Sequence, residues 1–127
     1  MRRPRAAIAW SAGRARRRAE YRAWMAGTAW LEHRRAWAER QLEVHGAEPA
    51  CQVCGAPWSA RHGDLHHRSY ARLGHEADTD LVPLCRSCHG QLHRVLEPSA
   101  GWLHLGREAA TDQVVARLRA KRRERGA

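Results

Sequence analysis

The sequence lacks any long apolar run. Its 127 residues contain no stretch that approaches the roughly 18 consecutive apolar residues of a membrane span, so we expect no membrane partner. The basic start of the chain, residues 1–18, has an apolar stretch too short for a secretory signal. Its Arg-rich, acid-poor composition is compatible with a transit peptide, which stays an alternative. Without an export signal, a reducing intracellular compartment is the expectation.

Lysine is almost absent, with one Lys against 22 Arg. The formal net charge of +10 is uneven along the chain: residues 1–50 contribute +6, residues 51–100 contribute zero, and residues 101–127 contribute +4. Basic flanks around a neutral middle favour a polyanionic partner such as DNA or RNA. The alternative is a solvated Arg-rich surface that only reflects genome composition.

Neither an internal repeat nor a low-complexity linker divides the chain, and its length suits one domain with appended helices. The first predicted helix covers residues 14–45 in two pieces. Gly27 interrupts its apolar spacing, and Thr28 is a plausible N-cap for the second piece. Gly46 and Pro49 end this region.

Short strands and two further helices are predicted after residue 50. The strand candidates are residues 64–68 and 80–84, and Pro83 within the second favours an edge strand or a two-stranded ribbon. Residues 86–96 predict a helix ended by Pro98. The last helix is predicted to begin near Thr111 and to end in a frayed basic tail.

No cysteine is left over from the two CxxC pairs, which lie thirty residues apart. Four thiolates suit tetrahedral zinc, whereas a redox site needs only one pair in a thioredoxin-like strand context, which is missing. Disulfides would fit an exported protein. The sequence therefore predicts a structural zinc site, although zinc modules that only bind DNA or protein share this spacing. Its ligands are Cys51, Cys54, Cys85 and Cys88.

Two adjacent histidines, His66 and His67, occur in "LHHRSY" (65–70). On a strand their side chains point to opposite faces. His89 and His93 are four residues apart on a predicted helix and share one face. With His66 as a third ligand they could hold a metal ion with open coordination positions, and His67 would be free to take a proton from water. Alternatively, His89 completes the zinc site or these histidines are surface residues.

Residues 51–93 resemble HNH endonucleases, also called His-Me finger or ββα-metal nucleases. The matching segments are "CQVCG", "LHHRSYARLGHE" and "TDLVPLCRSCHGQLH". The resemblance implies an α+β fold: a ββα-metal core, a two-stranded ribbon and a helix around a catalytic metal, with a structural zinc knuckle and flanking N- and C-terminal helices. On this basis residues 1–47 are a basic helical extension, 48–97 the nuclease core and 98–127 a basic helix or tail.

The resemblance also implies roles for single residues. His67 matches the general base that activates water, and His66 matches the first metal ligand. His89 and His93 match the metal-binding positions on the helix. The family's Asn usually orients the base through a loop contact. Here Asp80 takes its place: its carboxylate can still accept a hydrogen bond, and its charge would raise the pKa of His67.

The implied activity is hydrolysis of DNA phosphodiester bonds with one divalent ion, Mg, Mn, Ni or Zn, besides the structural zinc. Products would carry 5′-phosphate and 3′-hydroxyl ends, and a homodimer would allow both strands to be cut. The resemblance and the Arg bias suggest the cytoplasm of a bacterium or of a phage-infected host. Four arginines near the motifs are candidates for DNA contact, with solvated surface as the alternative. They are Arg68, Arg72, Arg86 and Arg94.

Two other functions fit the same sequence. A non-catalytic zinc-stabilised DNA-binding module needs only the four cysteines and the basic flanks. A zinc-stabilised protein adaptor, such as a phage packaging partner, would use its basic tails to bind an acidic protein. The pairing of His67 with the three candidate metal ligands favours the endonuclease.

Overall fold

The N-terminal part of the chain is helical on both sides of Gly27. The computed structural model describes residues 16, 18–97 and 105–126. Helix α1 spans Thr28–His45, which confirms the two-piece helix, although Thr28 is already its first helical residue. The helix ends at Gly46, whose φ of 68° suits glycine and whose N–H donates to the Leu42 carbonyl at 2.8 Å.

The chain falls into two compact units, Met1–His33 and Arg34–Ala127. In the first unit, the rings of Trp24, Trp30 and His33 contact one another, and Trp30 stacks on His33 with centroids 5.7 Å apart. The second unit contains every predicted site residue. The segment boundaries predicted at residues 47 and 97 stay predictions.

A two-stranded antiparallel sheet forms the centre of the second unit. Strand β1, Asp64–His67, pairs with strand β2, Leu81–Leu84. This arrangement confirms the ribbon expected from Pro83, which has no N–H to donate. The Pro83 carbonyl accepts a hydrogen bond from the Gln52 N–H at 3.0 Å, so β2 is tied to the first CxxC turn.

Helix α2, Arg86–Leu96, follows β2 directly and confirms the predicted helix. Pro98, predicted to end it, lies outside the described residues. Helix α3 spans Arg107–Gly126. It therefore begins four residues before the predicted start at Thr111, and the basic tail is helical rather than frayed. Among the described residues, no helix is long and apolar enough to cross a membrane.

The hydrophobic core lies between α2, α3 and the first CxxC turn. Its buried members include cysteines as well as aliphatic side chains: Cys51, Val53, Leu84, Cys88, Leu92, Leu96, Ala110, Val114 and Val115. Burial of its apolar face explains why α3 is stable as a helix despite its charged C-terminal half. Because two of the four cysteines are core residues, a change that disrupts the cysteine cluster would also disrupt the packing of the core.

The start of β1 is held by Trp58, which is 4% exposed. Its indole N–H donates to the Asp64 carbonyl at 2.8 Å, and its ring meets Trp37 edge-on at 5.3 Å. The Arg34 guanidinium lies 5.8 Å from the Trp58 ring and donates to the Gly63 carbonyl. Gly63 lies so close to the indole that a Cβ there would overlap the ring nitrogen.

We expect Gly63→Ala to destabilise the protein by about 1–3 kcal/mol, because the added methyl overlaps a buried ring that cannot move freely. Gly90→Ala is the matched control: its Cβ meets only the Arg94 guanidinium at 3.7 Å in a helix interior. It should stabilise by about 0.5–1 kcal/mol. Urea unfolding of both variants checks this, and equal effects of the two would contradict the packing described for Trp58.

Candidate metal centres

The four cysteines converge on one point. Their sulfur atoms lie within 4.8 Å of one another, and none is in a disulfide. Cys51 and Cys88 are buried, while Cys54 and Cys85 are half-buried. The cluster is a possible metal site compatible with structural zinc, as the CxxC spacing predicts.

Local backbone geometry places the two CxxC pairs. Gly55, with φ 75°, closes the first turn by donating its N–H to the Cys51 carbonyl at 2.9 Å. The Cys51 N–H in turn donates to the Ala56 carbonyl at 2.9 Å. Cys85 is the N-cap of α2, and its sulfur accepts the Cys88 N–H at 3.4 Å. One pair thus lies on a tight turn and the other on the first turn of a helix.

The thiols have unequal acidities. Burial raises the pKa of Cys51, but backbone N–H donors to its sulfur outweigh burial and lower this pKa to about 7. Burial and the neighbouring sulfurs raise the pKa values of Cys54 and Cys88. A cation among the sulfurs would favour all four thiolates, because it replaces their mutual repulsion by attraction.

A second cluster contains three histidines. His66 comes from β1, and His89 and His93 come from successive turns of α2. One ring nitrogen of each lies within 4.8 Å of the others. The His66 ring meets the other two nearly edge-on, at centroid distances of 5.5 and 5.3 Å. The structure therefore brings together the three histidines singled out from the sequence.

Carboxylates orient the two helical histidines. His89 Nδ1 lies 3.0 Å from an Asp64 carboxylate oxygen, and His93 Nδ1 lies 2.7 Å from a Glu97 oxygen. When each Nδ1–H donates to its carboxylate, each neutral ring keeps a lone pair on Nε2. These Nε2 atoms lie 2.9 Å apart. Two facing lone pairs repel, so this arrangement suits a cation or a shared proton.

One ring nitrogen of His66 has no hydrogen-bond partner among the described residues. Its side chain is 1% exposed, and burial, followed by the charge of Arg107, lowers its pKa to about 2. Its Nε2 contacts the Thr111 hydroxyl at 3.0 Å. Its Nδ1 is buried without a hydrogen-bond partner among the described residues. A neutral imidazole anchored at one nitrogen and orphaned at the other fits a metal ligand.

His67 points away from this cluster. Its Nε2 lies 3.4 Å from a Glu76 oxygen, and its ring stacks on Tyr70 with centroids 5.2 Å apart. Its side chain is 1% exposed. Burial lowers the pKa of His67, and the hydrogen bond with Glu76 offsets only part of this effect. The strand thus separates the two adjacent imidazoles, and His67 is kept neutral.

Asp80 contacts the loop between the two strands, and its role in orienting His67 stays a prediction. It accepts hydrogen bonds from Arg72 and from the Ala77 N–H at 2.9 Å, and the Arg72 guanidinium lowers its pKa. Its charge raises the pKa of His67 as expected, but burial outweighs it and the net shift is downward. Glu76 is the acid that contacts His67. Only its position in the loop between the two strands could have singled it out.

The four arginines predicted to contact DNA divide into two pairs. Arg68 donates to both Asp112 carboxylate oxygens, at 2.8 and 2.7 Å, and Arg72 donates to the carboxylate of Asp80. Arg86 and Arg94 are exposed on α2. Only the second pair therefore has no bidentate carboxylate partner among the described residues. DNA contact by all four stays a prediction.

Comparisons with known proteins find no relative. Neither a protein-family model, nor a curated protein, nor a solved structure matches the chain. The likeness of residues 51–93 to nucleases therefore stays a resemblance, and a functional conclusion depends on side-chain geometry.

We expect the cysteine cluster to hold zinc that folding requires. Cys54→Ser should weaken the thiolate-to-cobalt absorption of the Co²⁺-substituted protein, because it removes one of four thiolates. Removal of the metal from the wild type with a chelator should abolish its cooperative thermal transition. We expect a large effect because the binding of structural zinc contributes an apparent ~10–16 kcal/mol to the free energy of folding. This contribution is comparable with the whole stability of a small domain. Ser87→Ala, an exposed change inside the second pair, is the control. An unchanged melting temperature after complete zinc removal would contradict this role.

Proposed function

We propose that the protein is a metal-dependent DNA endonuclease of the HNH type. His66, His89 and His93 hold one divalent cation, and His67 activates the attacking water. One observation carries the proposal: one strand and a helix bring three imidazole nitrogens within 4.8 Å, while the next residue on the same strand is a buried, neutral imidazole. The four cysteines alone would suffice for a zinc-stabilised fold, so the second cluster favours a further role.

The histidine cluster has the features of an open metal site. Three protein ligands leave coordination positions for substrate or water, as catalytic sites require. Acceptors behind the rings orient them: Asp64, Glu97 and the Thr111 hydroxyl. Three nitrogen ligands suit Zn or Ni better than Mg or Mn, which prefer oxygen.

The side chains supply the rest of the chemistry. A bound divalent cation would polarise the scissile phosphate and stabilise the leaving 3′ oxygen. His67, kept neutral by burial, can accept the proton of the attacking water, and Glu76 stabilises the imidazolium that results. Tyr70 stacks on the buried ring of His67 and is itself 42% exposed. The Tyr70 side chain must therefore move aside before a substrate can reach His67.

DNA is the proposed substrate because of the charge distribution. The basic flanks of the chain, residues 1–50 and 101–127, carry all of the net charge of +10. Arg86 and Arg94 are exposed on the helix that carries His89 and His93. Guanidinium groups beside a cation site suit the phosphates of a polyanion.

A non-catalytic module is the second candidate, either a zinc-stabilised DNA-binding unit or a protein adaptor. The observation that favours it is the burial of His66 and His67, at 1% and 2% exposure. Buried imidazoles with hydrogen-bond partners often have only a structural role. In that case the three-histidine cluster would be a second structural metal site.

Plasmid nicking distinguishes the two functions. We expect the zinc-loaded protein to nick supercoiled DNA only after a divalent cation is added. His67→Ala and His67→Asn should lower the rate by about 10²–10⁴-fold, because neither side chain can take the proton. Asn keeps a polar group near Glu76, which protects the fold.

The control is His62→Ala, an exposed histidine just before β1, which should cut at the wild-type rate. DNA affinity is measured for every variant. If the wild type binds DNA but cuts it with none of Mg, Mn, Ni or Zn, the endonuclease proposal is wrong and the non-catalytic module replaces it.

Metal affinity tests the histidine cluster separately. Asp64→Asn should weaken Ni²⁺ binding by about 10–100-fold, because His89 loses the carboxylate that fixes its tautomer. Calorimetric titration into protein whose cysteine site already holds zinc measures this. Glu108→Gln removes an exposed carboxylate on α3 and should leave the affinity unchanged. Equal affinities of wild type and Asp64→Asn would show that the cluster is not the nickel site.

A further inference from the structure

A basic cavity lies between the first CxxC turn and the C-terminal half of α3. It has a volume of about 410 Å³. Its walls are the turn at residues 51–55 and three arginines of α3, Arg119, Arg122 and Arg123. Neither the cysteine cluster nor the histidine cluster accounts for these arginines.

The three arginines continue the core-facing stripe of α3. Val115 is buried and Leu118 packs against the core. Positions 119, 122 and 123 follow at helical spacing, so they share one side of the helix. Where α3 extends past the core, Arg replaces apolar residues on the side that faces the turn. The cavity is thus lined by charge at the place where apolar packing ends.

One of these arginines is anchored and the other two are available. Arg119 donates to the Gln52 carbonyl at 2.8 Å and to its side-chain oxygen at 3.2 Å. Within residues 18–97 and 105–126, Arg122 and Arg123 form no ion pair or hydrogen bond, and both are exposed. By contrast, carboxylates neutralise Arg68 and Arg72. The cavity therefore keeps uncompensated positive charge.

The cysteine cluster does not neutralise this charge fully. Four thiolates and one Zn²⁺ carry a formal charge of −2. Three guanidinium groups therefore exceed it, and α3 carries further cations on its other sides. The excess suits an external anion with several oxygen acceptors, which planar guanidinium groups bind well.

We propose that this cavity binds phosphates of the DNA backbone, as a contact separate from the histidine cluster. The inference takes DNA as the partner from the proposed function but does not need cleavage. Thr111, which contacts His66, precedes Arg119–Arg123 by eight to twelve residues of the same helix, or about 12–18 Å. That length equals about four to five base pairs at 3.4 Å each, so one duplex can span both places.

The test is DNA affinity over a salt series. A short fluorescein-labelled duplex is titrated with zinc-loaded protein, without added divalent cation, and anisotropy gives the dissociation constant. Arg122→Gln/Arg123→Gln should reduce the slope of log K against log salt by about 1.8, because about 0.9 is lost per phosphate contact. Both positions are exposed at the end of α3, so the fold should persist.

The matched control is Lys121→Gln/Arg125→Gln, which removes the same charge from the same helix outside the cavity. It should change the slope clearly less. Equal effects of the two double variants would show a diffuse basic surface and overturn the proposal. A wild-type slope for Arg122→Gln/Arg123→Gln would overturn it as well.

Zinc content and plasmid cleavage separate the cavity from the two metal clusters. Zinc content, measured with a colorimetric chelator, must stay at the wild-type level in Arg122→Gln/Arg123→Gln. If this variant loses zinc and its affinity for DNA falls only in proportion to the zinc lost, the arginines are counter-ions of the cysteine cluster and the proposal is wrong. If the wild type cuts no DNA but the selective loss of affinity is seen, the cavity stands and the endonuclease proposal fails. If the wild type binds no DNA, the cavity proposal fails too.

Discussion

Convergence of four thiols is the constraint on which the rest of this structure depends. It joins a turn at residues 51–55 to the first turn of α2, thirty residues later. The helix then carries two neighbouring stripes. One stripe enters the core, namely Cys88, Leu92 and Leu96; the other begins at Cys85 and continues through His89 and His93. Because both stripes start at a cysteine, fixing the beginning of α2 also fixes which residues face β1.

Burial of two adjacent imidazoles is the second feature that shapes the site. His66 and His67 lie on opposite faces of β1, and each has a polar partner from a different part of the chain. Thr111 of α3 contacts the first, and Glu76 of the loop contacts the second. Burial keeps both rings neutral, which is the state that a metal ligand and a proton acceptor require. The surroundings of the strand, rather than the strand alone, therefore make the two histidines different.

Arginine has two roles in this chain. Near β1 and the following loop, guanidinium groups donate to carboxylates and carbonyls, as Arg68, Arg72 and Arg107 do. At the end of α3 they face a cavity without carboxylate partners among the described residues. Net charge alone does not distinguish these roles, because a paired arginine contributes little attraction for a polyanion. We therefore expect a surface that binds nucleic acid to lie where the arginines have no carboxylate partner among the described residues.

The cysteine cluster, the ribbon with Pro83 and helix α2 could be predicted because their signals are local. CxxC spacing, a proline in a strand and two histidines four residues apart each act over a few residues. The clustering of His66 with His89 and His93 could also be predicted from the sequence, because the periodicities of a strand and a helix limit which side chains can face each other. Glu76, Thr111 and Asp112 could not be assigned their partners, and the start of α3 was placed four residues late. These features depend on packing between distant segments, and a local pattern does not encode which side chain a distant helix will cover.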